Sequence, residues 1–446
     1  MLEVWISLSN LKKKNEVRDF RAEQLTKKQV GRVVEVSGWV EDIRPLGSIS
    51  FLTLRDPTGI SQIVFNNKNV SATSQAVLSA LQRQSIVSVK GVVQESRSQK
   101  VEVEILADHI QLLSAAKHPL PLDPTGRVPS SIDARLDARA LDLRTPSVAA
   151  IFRIRSVALQ AVRSALISQE FVEVSTPKVI GNAVEGGANL FSVGYFGKKA
   201  FLAQSPQLFK EQLVISLERV FEIASYYRAE KSHTTRHLSE FYGIDVEAAY
   251  MSEEEVMAVA EDVISRSIQK VSKECVKELR ILAHELKTPK VPFPRVSYAN
   301  VVEDLQGQEN NNSIRFGDDL TDGTLSSFSR FKSEFFWIVD WPSQLKPFYL
   351  ERGDNGLARS FDLQHGKLEL ASGGKRVSTR AELEGNLKKA GLRPKNFENH
   401  LRVFDWGMPP HSGWGMGFDR LMMVLTGRKN VREVVFYPRD RFRLDP

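Results

Sequence analysis

The chain has 446 residues, of which 42% are hydrophobic and 26% are charged. These proportions are ordinary for a globular protein and exclude the collagen-like, disordered and coiled-coil classes. At roughly 150 residues per domain, the length predicts two to three domains. The single cysteine, Cys275, excludes a disulfide framework and a multi-cysteine zinc site.

Charge and hydropathy give a first indication of partner and location. The net charge of +7 comes from 61 lysines and arginines against 54 aspartates and glutamates. Such an excess favours a polyanionic partner such as nucleic acid or nucleotide, although a merely basic soluble protein would show it too. No apolar run approaches the roughly 20 residues that span a bilayer, and the N-terminus lacks the apolar core of a signal peptide. We therefore expect a cytoplasmic protein with no membrane association.

The first part of the chain, residues 1–115, is predicted to be an N-terminal extension followed by a small all-β domain. Five short β-rich runs alternate with turn signals such as Asp56-Pro-Thr-Gly59. In chain order, these runs cover residues 34–40, 49–54, 61–65, 86–93 and 101–105. Five strands with a helical patch near residues 75–83 predict an OB-fold barrel, which commonly offers one strand face to single-stranded nucleic acid. A barrel of this kind could equally bind nothing.

A proline-rich segment, residues 116–146, follows the barrel and is interpreted as a hinge or linker. Beyond it, apolar positions recur at helical spacing from Ile151 to Ala165, which predicts a long amphipathic helix. A strand over residues 171–175 comes next and ends before Pro177. We assign residues 147–446 to one large domain, with a small insertion around residues 252–335 that begins with a helix over 252–273.

Three stretches of the large domain carry candidate chemistry, and each has an ordinary explanation when taken alone. Pro177 can be a simple strand terminator. Arg228 and Glu230 alternate along a predicted strand, so both point to one face, as a surface ion pair would also do. The run Gly413-Trp-Gly-Met-Gly417 lacks the spacing and βαβ setting of a dinucleotide fingerprint. Its small residues instead allow close packing before a helix that carries Arg420, a cation suited to phosphate.

In this order, the three stretches resemble motifs 1, 2 and 3 of the class II aminoacyl-tRNA synthetases. Pro177 resembles motif 1, the run from Arg228 to Phe241 resembles motif 2, and the run from Gly413 to Arg420 resembles motif 3. An OB domain before such a core is characteristic of subclass IIb, the aspartyl, asparaginyl and lysyl enzymes. The resemblance covers nearly the whole chain and implies a multidomain protein whose α+β catalytic domain is built on an antiparallel sheet.

Within the subclass, the run Gln204-Ser-Pro-Gln-Leu-Phe-Lys210 resembles the aspartyl signature, whose terminal lysine meets the side-chain carboxylate of the substrate. The run from Ser372 to Arg376 resembles the segment that supplies a pocket arginine, which can hold a carboxylate with two hydrogen bonds. The ending from Pro438 to Pro446 resembles that of archaeal enzymes, and no large insertion separates motifs 2 and 3. The chain is thus similar to the aspartyl-tRNA synthetase family of archaeal and eukaryotic type.

This resemblance implies a two-step reaction. ATP and L-aspartate would form aspartyl-adenylate with release of pyrophosphate, and the aspartyl group would then pass to the 3′ end of tRNA(Asp), with tRNA(Asn) open as a second substrate. The expected catalytic residues are Arg228 and Arg420. The expected ATP contacts are Arg228, Glu230, Arg236, His237, Leu238, Phe241, Glu369 and Arg420. The expected aspartate contacts are Glu185, Gln207, Lys210, Asp245, Ser372 and Arg376, with Glu185 and Gln207 anchoring the α-ammonium group.

The resemblance also implies Mg²⁺, a homodimer and an anticodon-reading face. The expected Mg²⁺ ligands are the hard oxygen atoms of Asp362, Glu369 and Ser372. Motif 1 lies at a subunit interface in this class, so we expect a symmetric homodimer. Arg44, Phe51 and Gln62 fall where the family places its anticodon contacts. Phe51 could stack on an unpaired base or could instead belong to the barrel core.

Three alternatives stay open. Lys210 suits an anionic substrate, which argues against an asparaginyl-tRNA synthetase. An ammonia-dependent asparagine synthetase normally lacks the OB domain. A non-catalytic RNA-binding paralogue would usually lose the motif arginines, yet Arg228, Arg376 and Arg420 are all present. Glu41 matches neither the tryptophan nor the histidine that the family often has there, so charging of tRNA(Asn) is left undecided.

Overall fold

The structure is a computed structural model of the chain that describes residues 18–445 with short gaps. The gaps are residues 67, 69, 99–100, 182–189, 230–233, 308–313, 326, 329, 332–333 and 354. The chain divides into two compact units, Met1–Ala134 and Arg135–Pro446. In the described part of the chain, no helix is both long enough and apolar enough to span a membrane.

The first unit is a closed five-stranded barrel, which confirms the predicted OB-fold domain. Its elements are the strands β1 Val33–Leu46, β2 Ile49–Asp56 and β3 Gly59–Asn66, the helix α1 Ala72–Ala80, and the strands β4 Ile86–Glu95 and β5 Val103–Ser114. The strands pair in the order β1-β2-β3-β5-β4, and only β3 and β5 run parallel. Most strands extend beyond the predicted runs. The largest difference is at β5, which begins at Val103 rather than at residue 101 and continues to Ser114.

The two-residue alternation of a strand decides what the barrel buries. Leu52 and Leu54 lie in the hydrophobic interior and are 1% and 2% exposed. Phe51 and Thr53 point to the other face of β2 and are only partly buried. Phe51 is therefore outside the barrel core, which removes one of the two explanations that the sequence leaves open for it.

The segment that leads into the second unit is more ordered than a linker. It contains two short helices, α2 Ile132–Asp137 and α3 Arg139–Asp142. Arg139 is 2% exposed, pairs with Asp142 at 2.7 Å, and donates hydrogen bonds to the carbonyl oxygens of Val435 and Phe436. Residues 135–146, which we predicted to be linker, thus belong to the second unit.

The second unit combines long helices with two sheets. Its strands are β6 Val172–Glu173, β7 Val179–Ile180, β8 Ser192–Tyr195, β9 Lys198–Leu202, β10 Arg219–Tyr227, β11 Glu240–Ala249, β12 Arg295–Ser297, β13 Phe335–Pro342, β14 Leu357–His365, β15 Leu368–Lys375 and β16 His411–Gly417. Its further helices are α4 Pro146–Ile167, α5 Gln207–Leu217, α6 Glu253–Glu274, α7 Val276–Ile281, α8 Tyr298–Gln306, α9 Asp322–Leu325, α10 Arg380–Lys389, α11 Glu398–Phe404 and α12 Phe418–Thr426. The predicted helices over 151–165 and 252–273 are confirmed as α4 and α6. The predicted strand over 171–175 is confirmed only as the short β6.

Eight of these strands form the central sheet, in the order β12-β13-β14-β15-β16-β11-β10-β6. The neighbours run antiparallel except at the two edges, where β12 pairs with β13 and β6 with β10 in parallel. One face of the sheet packs on α4, α6 and α12 in the largest hydrophobic core. Residues of β11 show the division: Ile244, Val246 and Ala248 lie in this core, and Asp245 and Glu247 point to the opposite face.

Asp56 closes the turn between β2 and β3 and also holds the segment that precedes β1. Its Oδ1 accepts hydrogen bonds from the N–H of Thr58 at 2.7 Å, the hydroxyl of Thr58 at 2.6 Å and the N–H of Gly59 at 3.1 Å. Its Oδ2 accepts one from the N–H of Ala22 at 2.8 Å. Burial alone would raise the pKa of Asp56, but these hydrogen bonds outweigh burial and lower the pKa.

We expect Asp56→Asn to destabilise the turn region by about 1–3 kcal/mol at neutral pH, because an amide has one acceptor oxygen where the carboxylate has two. Since the pKa of Asp56 is lower in the folded state, its contribution is complete above the unfolded pKa and is lost as the pH falls through the folded pKa. Hydrogen exchange of the Thr58 and Gly59 amides measures the change. Asp108→Asn, at an exposed position of β5, is the control, and equal amide protection in both variants would contradict the prediction.

Candidate active site

A cavity of about 330 Å³ lies on the sheet face opposite the helical core. Its size is within the range of small-molecule sites in proteins. The sequence-predicted residues that line it are Gln207, Arg228, Arg236, His237, Leu238, Phe241, Asp245, Glu369, Ser372, Arg376 and Arg420. Lys210 and Asp362 do not line the cavity. Lys210 binds the lining residue Asp245, and Asp362 lies directly opposite the lining residue Ser372 on the neighbouring strand. Glu185 and Glu230 lie outside the described residues.

The antiparallel register brings four distant positions into one row across the sheet. Asp245 of β11 pairs with Gly415 of β16. Gly415 pairs with Ser372 of β15, and Ser372 pairs with Asp362 of β14. Residues directly opposite each other point to the same face. The row therefore places the predicted amino-acid contact Asp245 and two predicted metal ligands on one surface.

The glycines of β16 leave the space that the acidic side chains of β11 occupy. A Cβ atom at Gly413 would collide with the carboxylate of Glu247, and one at Gly415 would lie 3.1 Å from Oδ1 of Asp245. Glycine at these two positions thus lets the carboxylates lie flat over the neighbouring strand. This gives the glycine spacing of motif 3 a steric reason.

Below the cavity, two cations and two carboxylates form a buried layer that we call the charge layer: Lys210, Asp245, Glu247 and Arg376. All four are at most 6% exposed. The ammonium of Lys210 lies 3.0 Å from Oδ1 of Asp245 and 3.5 Å from Oε2 of Glu247. Arg376 donates to both oxygens of Glu247, at 2.8 and 3.1 Å. The structure brings the two predicted cations together, and each already holds a carboxylate of β11, as expected if Asp245 and Glu247 balance the charge of the pocket.

The residues predicted to bind ATP meet at the other end of the cavity. The guanidinium of Arg228 lies over the ring of Phe241, 5.3 Å from its centroid. Arg420, on the first turn of α12, donates to the carbonyl oxygen of Glu369 at 2.8 Å and lies 3.3 Å from Nε2 of His237. Arg236 donates to the carbonyl oxygen of Lys367 at 3.1 Å. Arginines from motifs 2 and 3 thus border one space, which suits a polyphosphate.

Asp419, next to Arg420 on the first turn of α12, links this helix to α4 and to β11. Its Oδ1 accepts a hydrogen bond from Arg155 of α4 at 2.7 Å, and its Oδ2 accepts one from the N–H of Tyr242 on β11 at 2.7 Å. Burial raises the pKa of Asp419 even with Arg155 beside it. Sequence reasoning missed Arg155, because no local pattern relates it to a residue 264 positions away.

Asp362 and Glu369 could hold a metal ion together with ligands from a substrate. Both oxygens of Asp362 accept hydrogen bonds from Lys346, at 2.8 and 2.7 Å, a partner that the sequence analysis did not foresee. Desolvation and the negative charge of Asp362 raise the pKa of Glu369, against the opposing charge of Arg420. Among the described residues, no group of three or more histidine, cysteine or acidic side chains is arranged to hold a metal. A cation held by the two carboxylates and the hydroxyl would thus need further ligands, such as phosphate and water oxygens.

On the barrel, the three predicted anticodon contacts lie on the outer face of β1, β2 and β3. Arg44 is directly opposite Phe51, and Gln62 is opposite Thr53, which shares the face of Phe51. The side chain of Arg44 is 71% exposed, and Gln62 donates to Oε2 of Glu104 at 2.7 Å. Glu41 is buried and its carboxylate binds Arg55.

Comparison with protein families agrees with both units. Residues 131–441 match the family of class II tRNA synthetases for D, K and N, and residues 34–113 match the OB-fold nucleic acid binding domain. The chain is 45% identical over 426 residues to the aspartate–tRNA(Asp/Asn) ligase of Saccharolobus solfataricus, covering 95% of this chain and 98% of that protein. It is 41% identical over 441 residues to the aspartate–tRNA(Asp) ligase of Pyrococcus horikoshii, covering 96% of this chain and 100% of that protein.

Solved structures show the same architecture. The asparaginyl-tRNA synthetase of Pyrococcus horikoshii, complexed with asparaginyl-adenylate, matches with a TM-score of 0.91 at 30% identity, covering 97% of this chain and 100% of that one. A putative aspartyl-tRNA synthetase from Leishmania major matches with a TM-score of 0.88 at 25% identity, covering 98% and 96%.

We expect Arg155→Leu to destabilise the second unit by about 3–5 kcal/mol, because it leaves Asp419 buried without its charged partner. The pKa of Asp419 would rise further in the variant. The loss of stability is therefore smallest at low pH, and it grows as the pH rises from the folded-state pKa of the wild type to the higher folded-state pKa of the variant. Urea unfolding of the full chain, followed by the fluorescence of its buried tryptophans, measures the loss.

Arg163→Leu is the matched control for this prediction. Arg163 lies on the same helix, its side chain is 36% exposed, and it pairs at 2.9 Å with Glu173, whose side chain is 37% exposed. An exposed pair of this kind contributes about 1 kcal/mol or less. Equal stability losses in the two variants would contradict the role assigned to Arg155.

Proposed function

This chain belongs to the class II tRNA synthetases of the aspartate, lysine and asparagine group, and within that family we propose that it is an aspartate–tRNA ligase. It activates L-aspartate with ATP and transfers the aspartyl group to tRNA. The observation that supports this substrate most directly is the charge layer, in which Lys210 and Arg376 converge below the cavity. The aspartate–tRNA ligases named above, at 41% and 45% identity, support the same substrate.

In the first step, the α-carboxylate of aspartate attacks the α-phosphorus of ATP, and pyrophosphate leaves. That carboxylate is ionised at neutral pH, so the step needs no general base. Catalysis then consists of positioning and of neutralising charge on the phosphates. Arg228 holds the α-phosphate, and Phe241, whose ring lies under Arg228, stacks on the adenine. His237 and Arg420 bind the γ-phosphate together.

The amino-acid end of the cavity binds aspartate at both of its charged ends. Gln207 accepts a hydrogen bond from the α-ammonium group, and Asp245 adds a negative charge beside it. Arg376, which lines the cavity, and Lys210, which binds the cavity residue Asp245, both donate hydrogen bonds to the side-chain carboxylate of the substrate. A neutral amide gains less from these two cations than a carboxylate does, which favours aspartate over asparagine.

Mg²⁺ fits the residues Asp362, Glu369 and Ser372. Desolvation and the negative charge of Asp362 raise the pKa of Glu369, and a bound cation would favour the ionised form of both carboxylates. When bound, Mg²⁺ would neutralise phosphate charge on ATP. In this structure, Lys346 supplies the positive charge at Asp362.

The tRNA contacts and the assembly complete the proposal. The outer barrel face with Arg44, Phe51 and Gln62 reads the anticodon, and the protein acts as a homodimer through the region of motif 1, in the cytoplasm. The similarity to an asparaginyl-tRNA synthetase structure makes asparagine the second candidate substrate. The relatives include ligases for tRNA(Asp) alone and for both tRNA(Asp) and tRNA(Asn), so tRNA(Asn) is the second candidate tRNA.

Aminoacylation of separate tRNA(Asp) and tRNA(Asn) transcripts with labelled aspartate, asparagine and lysine tests the proposal. We expect aspartate to be attached to tRNA(Asp). Aspartate on both tRNAs would indicate an enzyme that supplies a later amidation. Preference for asparagine would overturn the role of Lys210, and charging of no tRNA would favour a non-catalytic RNA-binding protein.

We expect Lys210→Met to raise the KM for aspartate roughly 10- to 100-fold in ATP–pyrophosphate exchange, because a hydrogen bond to a charged group is worth about 1.5–3 kcal/mol. The KM for ATP should change little, since Lys210 does not contact the phosphate end of the cavity. Lys199→Met, at an exposed position of β9, is the control. A parallel rise in both KM values would show that the cavity as a whole had been disturbed.

A further inference from the structure

The α-ammonium group of an amino acid needs an acceptor, and the proposed function assigns Gln207 to it. The side-chain amide of glutamine has a donor end and an acceptor end of nearly the same shape. Only the carbonyl oxygen can accept a hydrogen bond from an ammonium group. The orientation of the Gln207 amide is therefore decisive for binding the amino acid.

Glu211 determines this orientation from within the protein. It lies one turn after Gln207 on α5, where residues four apart are neighbours. Nε2 of Gln207 donates to Oε1 of Glu211 at 2.6 Å. Glu211 is 1% exposed, and an ionised carboxylate can only accept. The NH₂ group of Gln207 must then face Glu211, which leaves its carbonyl oxygen for the cavity that Gln207 lines.

His400, on α11, holds Glu211 from the other side. Its Nε2 lies 3.3 Å from Oε2 of Glu211, and its Nδ1 lies 3.2 Å from Nε2 of Gln212. Nε2 carries a proton both in the neutral ring that accepts from Gln212 at Nδ1 and in the protonated ring. This proton lies next to Oε2 of Glu211 without forming an aligned hydrogen bond. Burial alone would raise the pKa of Glu211, but the contact with His400 and nearby positive charge lower it, so Glu211 stays an acceptor.

We propose that Glu211 and His400 are positioning residues for amino-acid binding, which fix the Gln207 amide with its carbonyl oxygen toward the α-ammonium group. The inference rests on the proposed function and extends it to two side chains that do not line the cavity. A purely structural role, in which Glu211 and His400 only join α5 to α11, is the competing explanation.

Glu211→Gln separates the two explanations. The proton on Nε2 of His400 attracts the carbonyl oxygen of the amide at position 211 and repels its NH₂ group, so the NH₂ group faces Gln207. Gln207 must then turn its own carbonyl oxygen toward position 211 and present NH₂ to the substrate. We expect the KM for aspartate in ATP–pyrophosphate exchange to rise roughly tenfold or more, because a charge-assisted hydrogen bond is lost. The KM for ATP should be nearly unchanged.

Succinate supplies the readout that a structural role would not produce. It is aspartate without the amino group, so its inhibition constant reports the rest of the pocket but not the ammonium contact. We expect Glu211→Gln to leave the inhibition constant of succinate unchanged. His400→Leu removes the positive ring edge beside Glu211 and should give a smaller rise in the KM for aspartate, again with no change for succinate.

A charge swap provides the matched rescue. In the double variant Gln207→Glu with Glu211→Gln, the amide at 211 donates to one carboxylate oxygen at 207. The other oxygen accepts from the ammonium group whichever way the carboxylate is turned. We expect the KM for aspartate to return toward the wild-type value, with the total charge unchanged.

Three results would overturn the inference: an unchanged KM for aspartate in Glu211→Gln, a parallel rise for succinate, or a double variant no better than the single one. Should Glu211→Gln fail to fold, His400→Leu carries the same aspartate–succinate comparison. Wild-type exchange with aspartate tests the proposed function separately. If asparagine drives exchange instead, the same variants are compared with asparagine and succinamate, since both amino acids carry the α-ammonium group.

Discussion

The pairing of buried charges below the cavity is the constraint on which the rest of this structure depends. Lys210 and Arg376 cannot lie in the protein interior without partners, because an uncompensated buried charge costs several kcal/mol. Asp245 and Glu247 meet this requirement only if β11 faces the cavity with its odd-numbered positions. A slip of one residue would turn both carboxylates into the helical core. The charge layer therefore specifies the strand register that also aligns Ser372 and Asp362.

The same sheet serves packing on one face and chemistry on the other, so neither can vary independently. Trp414 and Met416 of β16 fill the hydrophobic core, and the glycines that alternate with them, Gly413 and Gly415, make room for the carboxylates of β11. Asp419 extends this coupling to α4 through Arg155. The buried contacts of Asp419 thus fix the first turn of α12, which carries Arg420. A cation held in place before substrates bind is what electrostatic preorganisation requires.

The sequence predicts the fold, and most of the predicted ATP, aspartate and metal contacts line the cavity. The resemblance identifies them because the motifs keep local spacing: a run of strand residues, a glycine series, an arginine on the first helical turn. It does not predict the pairs that hold them. Lys346 with Asp362, Arg376 with Glu247 and His400 with Glu211 join positions far apart, and only the folded register brings them together. The pair Gln207 and Glu211 is the exception, since its four-residue spacing on a helix is visible in the sequence. The predicted linker extends too far along the chain, because Arg139 and Asp142 are charged residues that no hydrophobic pattern marks as buried.

The charge layer also sets the terms on which a substrate carboxylate can bind. Two cations and two carboxylates already balance, so an incoming carboxylate brings excess negative charge and must share cations that are in use. Recognition then depends on how readily Lys210 and Arg376 redistribute their hydrogen bonds between Asp245, Glu247 and the substrate. Stronger internal pairs would stabilise the empty site but weaken the preference for an acidic side chain over its amide. The choice between aspartate and asparagine therefore depends on all four residues of the charge layer, including the carboxylates of Asp245 and Glu247.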